Sequence, residues 1–421
     1  MSAAKSRAPW KKFYLIVSAG IFFQAGVAAI DNQTLMAVLV FGLTGSAVAV
    51  GATAAISRYG WLFPQLIVAY LAQRHRRRMK FYLVGAFGRV IALALLALLL
   101  GFGGNLALPS RIGIFFVLWT FYAFIGGIVA VPYNDIVARS VPSSLRSRLL
   151  ALRFFGGGLM ALGVAGLAHR ILAALPFPEN YGLIVLCGAL FMLVSSLFFL
   201  SAGEDRAPPS DSSGGFLSFL GAGFRVLRED SRFRRYLYTR WFAAGVSMAW
   251  PFYILQVAGA AIVPSDVALF FALQTLGALL SNPLWGWWGD RLGKGHLLIP
   301  MALLGVVAPL MTLVWLGAQW EQRSMALVWF GIVFAVLGSV NTGDTIAHLG
   351  YLWEISPNEK RPAYSGYFGM FIAPAALLPF AAAFIGEIFS FSAVFTISLA
   401  ASLVHMAALR RLLSHPSGET P

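Results

Sequence analysis

Gly286-Trp287-Trp288-Gly289-Asp290-Arg291-Leu292-Gly293-Lys294-Gly295 is a short charged turn set between two long apolar runs. Charge confined to a few residues between stretches of about twenty apolar ones is the pattern of a loop joining two membrane-spanning helices. The same plan occurs 217 residues upstream, where Ala69-Tyr70-Leu71-Ala72-Gln73-Arg74-His75-Arg76-Arg77-Arg78 also divides two apolar runs. A second mark repeats as well. Val141-Pro142-Ser143-Ser144-Leu145-Arg146 follows the fourth run and Ser356-Pro357-Asn358-Glu359-Lys360-Arg361 the tenth, each with a proline four residues before an arginine, at an offset of 215. Two marks at nearly one offset point to a duplicated chain.

Composition places this duplication in a bilayer. The chain of 421 residues is 59% hydrophobic and only 11% charged, with a mean hydropathy of +0.77. Apolar runs fall at about 13–40, 46–72, 81–103, 112–136, 149–173 and 181–201, then at about 236–260, 265–289, 297–317, 324–349, 365–386 and 390–410. The fold class expected is an all-α membrane protein of about twelve transmembrane helices, arranged as two pseudo-symmetric six-helix bundles. The boundaries are 1–201 for the first bundle, 202–235 for a linker and 236–421 for the second bundle.

Glu204 to Gly215 is rich in Pro, Ser and Gly, the mark of a flexible connection. Phe216, Leu220, Phe224 and Leu227 then recur at helical spacing beside Arg225 and Arg228, so an interfacial amphipathic helix is expected in the linker.

The formal charge of +15 follows membrane topology rather than a nucleic-acid surface. With Met1 to Lys12 inside, 26 of the 31 lysines and arginines fall on that side, Arg111, Arg170 and Arg323 fall outside, and Arg58 and Arg89 lie within runs. This is the positive-inside distribution, and no nucleic-acid-binding module surrounds the basic loops. It predicts a multi-pass protein of the cytoplasmic membrane with both termini cytoplasmic and the first helix retained. The lone cysteine, Cys187, excludes an intramolecular disulfide.

Six plus six helices, a long inner linker and the turn G-x-x-x-D-R-x-G-[KR] after the second helix of a half together resemble the major facilitator superfamily. Gly286, Asp290, Arg291, Gly293 and Lys294 match that motif. Physically, Gly286 and Gly289 would let two helix ends approach closely, and Gly293 suits a turn that needs positive φ. The resemblance implies that Asp290 bonds to a neighbouring helix in one transport state and releases it in another, and that the two halves rock about a site near the membrane midplane. In the first-half copy Gln73 replaces the aspartate and Ala69 the glycine, so an ionic latch is weakened there, although Arg74 and its basic neighbours suit anionic headgroups. Arg146 and Arg361, with Asp135 near Arg139, complete the expected gating set. The resemblance also implies that runs 1, 4, 7 and 10 line the cavity.

An ionised side chain at the bilayer centre costs about 2.5 to 3.5 kcal/mol on the mildest scales, so each one is a functional candidate. Asp31 interrupts the first run about nine residues, or 14 Å, from its outer end, and Arg58 lies at a comparable depth in the second. The expectation is that they share a polar cavity and pair, either to bind a proton or an anionic group or as a structural ion pair. In the tenth run Asn341, Asp344, Thr345 and His348 share one helical face, and Asp344 with His348 at i, i+4 is the preferred proton-coupling or substrate site. Trp250, Tyr253 and Gln256 are the aromatic and polar candidates for substrate contact. Arg89, on a peripheral helix in the resemblance, is expected to form a local salt bridge or to snorkel.

No phosphate-binding glycine loop, zinc-type His/Cys spacing or nucleophile elbow occurs. No catalytic residue, metal ligand or cofactor is therefore expected, and the energy source should be an ion gradient. The reading is a secondary active transporter of a small organic solute, the expected partners being that solute, protons and membrane lipids, with the chain a monomer and no nucleic acid involved. The alternatives are an uncoupled facilitator or efflux pump and a non-transporting scaffold on the same fold. The fourth run lacks an arginine and the fifth lacks the Gly-Pro pair that mark proton-coupled drug exporters, which weakens drug export.

Overall fold

The structure is a computed structural model that describes residues 2–73, 75, 77–204, 215–258, 263–320, 322–357 and 361–414. Those residues are almost wholly helical. Nine helical stretches among them are long and apolar enough to cross a bilayer.

The chain divides into two units. The first comprises residues 1–46, 56–213 and 263–272, and the second 47–55, 214–262 and 273–421. In order, the first half contains α1 (Ser2–Ala28), α2 (Leu35–Thr44), α3 (Ala47–Gln73), α4 (Met79–Phe102), α5 (Leu108–Gly127), α6 (Ala130–Ser140), α7 (Ser143–Ala174) and α8 (Glu179–Ala202). After α9 (Phe216–Glu229), the second half contains α10 (Ser231–Ser247), α11 (Trp250–Ala258), α12 (Pro264–Arg291), α13 (Lys294–Ala318), α14 (Arg323–Ile355), α15 (Arg361–Ile372), α16 (Leu378–Ile388) and α17 (Phe391–Leu413).

The duplication read from the two turns is visible in packing. In the first unit α8 packs on α1 and α4, and α4 on α5. In the second α17 packs on α10 and α13, and α13 on α14. Helix breaks repeat too. The first apolar run is split between α1 and α2, and the seventh between α10 and α11 ahead of Pro251. A break inside an apolar span leaves backbone groups that only neighbouring protein or a polar ligand can satisfy, so it marks the part of the span turned to function.

Small residues let the helices of each unit approach. A Cβ on Gly338 of α14 would overlap the carbonyl oxygen of Gln274 in α12, and one on Gly277 would overlap that of Ala335. In lipid no hydrophobic force holds helices together, so such backbone contact, with its dispersion gain, decides where they cross. The amphipathic α9 docks on α15: Phe224 meets Phe371 edge to face at 5.2 Å, and Gly223 leaves room for the Tyr367 ring. At the end of α9, Asp230 caps α10 by accepting from the Phe233 amide at 2.8 Å and accepts from the Tyr364 hydroxyl at 2.8 Å.

Candidate functional site

The break between α1 and α2 is organised by Asp31. Its Oδ2 accepts from the amides of Gln33 (3.0 Å) and Thr34 (2.9 Å) and from the Thr34 hydroxyl (2.8 Å). The expected pairing with Arg58 is corrected: the carboxylate is held by its own turn, which satisfies the amides at the start of α2, while Arg58 is exposed on α3. The two segments do meet, through Ser57, which donates to Asn32 Oδ1 at a long 3.5 Å. The identity of the contacting neighbours was not legible from residue counting.

In the second unit the polar face of α14 finds a partner that charge counting assigns to a loop. Arg240 on α10 grips Asp344 with both terminal nitrogens, at 2.6 and 2.7 Å. The pair is substantially buried, Arg240 being 11% and Asp344 27% exposed. This fork-to-fork geometry fixes both groups in plane, which a lysine could not do.

Asp344 and His348 couple through their charges as expected, but the hydrogen bonds of the carboxylate go to Arg240 and that of the imidazole to Tyr236. The Tyr236 hydroxyl donates to the His348 carbonyl oxygen at 3.2 Å and is hydrogen-bonded to the His348 Nδ1. His348 also packs on Phe368 at 4.5 Å. Histidine and aspartate still sense each other's charge, as does His405 on α17. His405 is buried, and its Nε2 has no hydrogen-bond partner among the described residues. Sequence reasoning missed Tyr236, Arg240 and His405, all of which sit near the ends of apolar runs. Asn341 and Thr345 occupy the exposed side of the same helix, with the Thr345 hydroxyl turned back to the Asn341 carbonyl at 2.8 Å.

Of the α11 candidates, Tyr253 is fully buried against Phe395, with ring centroids 5.0 Å apart, so its place is in the packing of the second unit rather than on an open surface. Trp250 and Gln256 are half-buried.

The opening turn has the backbone its sequence demands. Gly293 has φ +92°, which a side chain would strain. Asp290 is exposed and bonds within the turn, to Lys294 at 2.7 Å. The Lys294 side chain runs over Gly289 and Gly350, where a Cβ would meet it at 2.9 and 2.5 Å, and Arg291 lies over Trp287 at 5.9 Å. Gly286 has open space where a Cβ would stand, so the close helix approach expected there is corrected. Here Gly289 makes room for a lysine tail instead.

In the first unit Arg74 lies outside the described residues, as do the side chains of Gln73 and Arg146, and in the second unit that of Arg361. The charges that are described form a network at the start of α4. Asp135 on α6 pairs with Arg78 and accepts from Arg139 at 2.8 and 2.5 Å. Glu204, just past α8, accepts from Arg139 at 3.0 Å and from the amides of Arg78 (2.7 Å) and Met79 (2.9 Å). Glu204 thus serves as the cap of α4 supplied from 126 residues away. Its composition-based placement in the linker concealed this.

Two units with repeated helix packing, interrupted spans and a few clustered charges define a multi-pass membrane protein. Residues 242–421 match the sequence model of the Major Facilitator Superfamily. The solved structure of a mutant of the nucleoside transporter NupG superposes with a TM-score of 0.72 at 11% identity, covering 95% of this chain and 99% of that one. A POT family transporter in complex with 5-aminolevulinic acid gives 0.75 at 12%, covering 96% and 95%. The xylose transporter XylE from E. coli gives 0.68 at 12%, covering 96% and 99%. The chain thus shares the fold of these transporters along nearly its whole length, and its second half matches the superfamily's sequence model. Among curated proteins it is 24% identical over 190 residues to an uncharacterized protein of Mycobacterium tuberculosis (strain ATCC 25618 / H37Rv). That match covers 45% of this chain and 36% of the relative, so the chain spans about a third of the curated relative's length.

Proposed function

We propose that this protein is a secondary active transporter of a small organic solute, working by alternating access and driven by protons. It acts as a monomer in the cytoplasmic membrane with both termini inside and with lipid around its apolar faces. The observation that carries the reading is the Arg240–Asp344 pair, two largely enclosed opposite charges on helices of the second unit, with His348, Tyr236 and His405 grouped about the carboxylate.

Such a pair is a two-position device. With Asp344 ionised, the guanidinium is held by both carboxylate oxygens. When Asp344 takes a proton, the attraction that offsets the burial of Arg240 is lost, at a cost of about 2 to 3 kcal/mol for a pair whose acid is 27% exposed. Arg240 must then find another acceptor, either solute or a rearranged helix end. Proton uptake is thereby converted into a difference in free energy between two arrangements, which is what coupling requires.

The test is purified protein in liposomes under an imposed pH gradient, offered a panel of nucleosides, short peptides, sugars and organic acids. Accumulation of one class that collapses with a protonophore is the expected result. If no solute moves while the protein stays intact and correctly inserted, the transport reading fails and a scaffold role takes its place.

A further inference from the structure

The first unit holds two arginines that its described residues do not neutralise. Arg89 on α4 is 2% exposed and lies over the Phe23 ring of α1, 4.7 Å from its centroid. Arg153 on α7 approaches the same ring at 5.8 Å and the Tyr133 ring at 5.2 Å, and donates to the Tyr133 hydroxyl at 3.2 Å. The two guanidinium groups repel each other. The Nε of each is buried without an acceptor, and among the described residues neither forms an ion pair.

The described acids of the unit are committed elsewhere. Asp31 is held by its own turn, Asp135 by Arg78 and Arg139, and Glu204 by Arg139 and the start of α4. Asp266 accepts from the Val263 amide, and Glu179 is exposed in the first turn of α8. What surrounds the two cations is aromatic: Phe23, Tyr82, Tyr122 and Tyr133.

Ring faces and phenolic oxygens soften a buried positive charge but do not cancel it. A desolvated cation over a ring gains about 2 kcal/mol, less than an unpaired ion costs to bury. The arrangement is nevertheless built in detail. Gly20 of α1 admits the Arg153 side chain, which passes so close that a Cβ there would meet Cγ at 2.5 Å and Cδ at 2.6 Å. A chain that makes room for a second cation beside a buried first one has a site for an anion.

We propose that Arg89 and Arg153 are the oxyanion-binding pair of the first unit and that the solute is therefore an organic anion, held by a carboxylate or phosphate group. This rests on the transport reading for its physiological meaning but not for its test. Arg153, only half-buried, is the group a solute meets first. Arg89 completes the pair from the interior, where its unused Nε and the low local dielectric make the added hydrogen bonds strong.

The test is thermal unfolding of the full chain in neutral detergent, free of added lipid, with benzoate, inorganic phosphate, benzamide or phosphatidylglycerol as probes. Benzoate or phosphate at about 100 times its Kd should raise Tm by about 3 °C or more, and uncharged benzamide should not. Arg153→Gln should abolish the shift, and Gly20→Ala, which pushes Arg153 aside, should reduce it. Arg89→Met provides a readout that a packing arginine would not give. Removing an unpaired buried cation should leave the unliganded protein as stable as the parent or more so, while the anion shift disappears.

The proposal is overturned if neither anion shifts the parent, if benzamide shifts it equally, or if the shift survives both arginine substitutions. It is overturned as a solute site if phosphatidylglycerol alone gives an arginine-dependent shift. Anion binding without transport of any solute would sink the transport reading and leave this site standing. Proton-driven accumulation of a neutral solute with no anion shift would do the reverse.

Discussion

Asp344→Asn isolates the pair on which the second unit depends. The substitution keeps the shape of the side chain but replaces two charge-assisted hydrogen bonds, at 2.6 and 2.7 Å, by at most one neutral acceptor. Arg240, 11% exposed, is left as an uncompensated cation. For a fully enclosed pair the loss would be about 3 to 5 kcal/mol. Asp344 is 27% exposed, so water recovers part of it, and about 2 to 3 kcal/mol is the expected cost. At about 2 to 4 °C per kcal/mol for a domain of this size, Tm should fall by about 4 to 12 °C. The double variant Arg240→Met/Asp344→Leu removes both charges and should return to within about 3 °C of the parent, because a hydrophobic replacement of a buried pair is close to neutral. The assay is thermal unfolding of detergent-solubilised protein for all members of the cycle. A double variant as unstable as the sum of the two single changes would refute the argument, since it would mean that the two side chains matter for separate contacts and not for each other.

Three further outcomes follow from named contacts. Glu204→Gln leaves the start of α4 with a neutral cap and Arg139 with one carboxylate fewer, and should cost about 1 to 2 kcal/mol, read as a lower Tm and earlier proteolysis after Ala202. Gly338→Ala places a methyl on the Gln274 carbonyl, so α12 and α14 must separate, and folded yield should fall at least several-fold while Gly126→Ala, with open space around it, leaves yield unchanged. Asp290→Asn removes the charge that Lys294 pairs with and should slow turnover far more than Gln73→Ala, with expression matched. Equal small effects would make the turn a structural relic.

The fold was legible because its signals are one-dimensional. Apolar runs marked an all-helical membrane protein, turn chemistry set the motif, and a glycine at 293 required positive φ whatever its surroundings. The repeat could be read from two offsets, and the amphipathic α9 from spacing alone. The site was less legible, and the reason is the same in each case. Arg240 and Arg153 lie near the ends of apolar runs, where charge counting treats a basic residue as flanking loop. Glu204 reads as the first residue of a polar linker, yet its carboxylate caps a helix more than a hundred positions away. Asp344 has His348 one turn along its own helix, but an aspartate prefers a forked, permanently charged partner to an imidazole when packing offers one, and the offer came from α10, 104 residues earlier. Sequence spacing records neighbours along a helix. The neighbours across helices, which decide the pairing of buried charge, are set by packing that no local pattern encodes.

Proton coupling through Asp344 is tested most directly by solute movement in liposomes containing the parent protein or Asp344→Asn, compared in two modes with the same solute. The parent should accumulate solute against its gradient when the pH gradient is imposed. The Asp344→Asn protein should fail to accumulate it yet still exchange labelled for unlabelled solute at equilibrium. Undiminished proton-driven accumulation by Asp344→Asn would contradict the assignment of coupling to the Arg240–Asp344 pair.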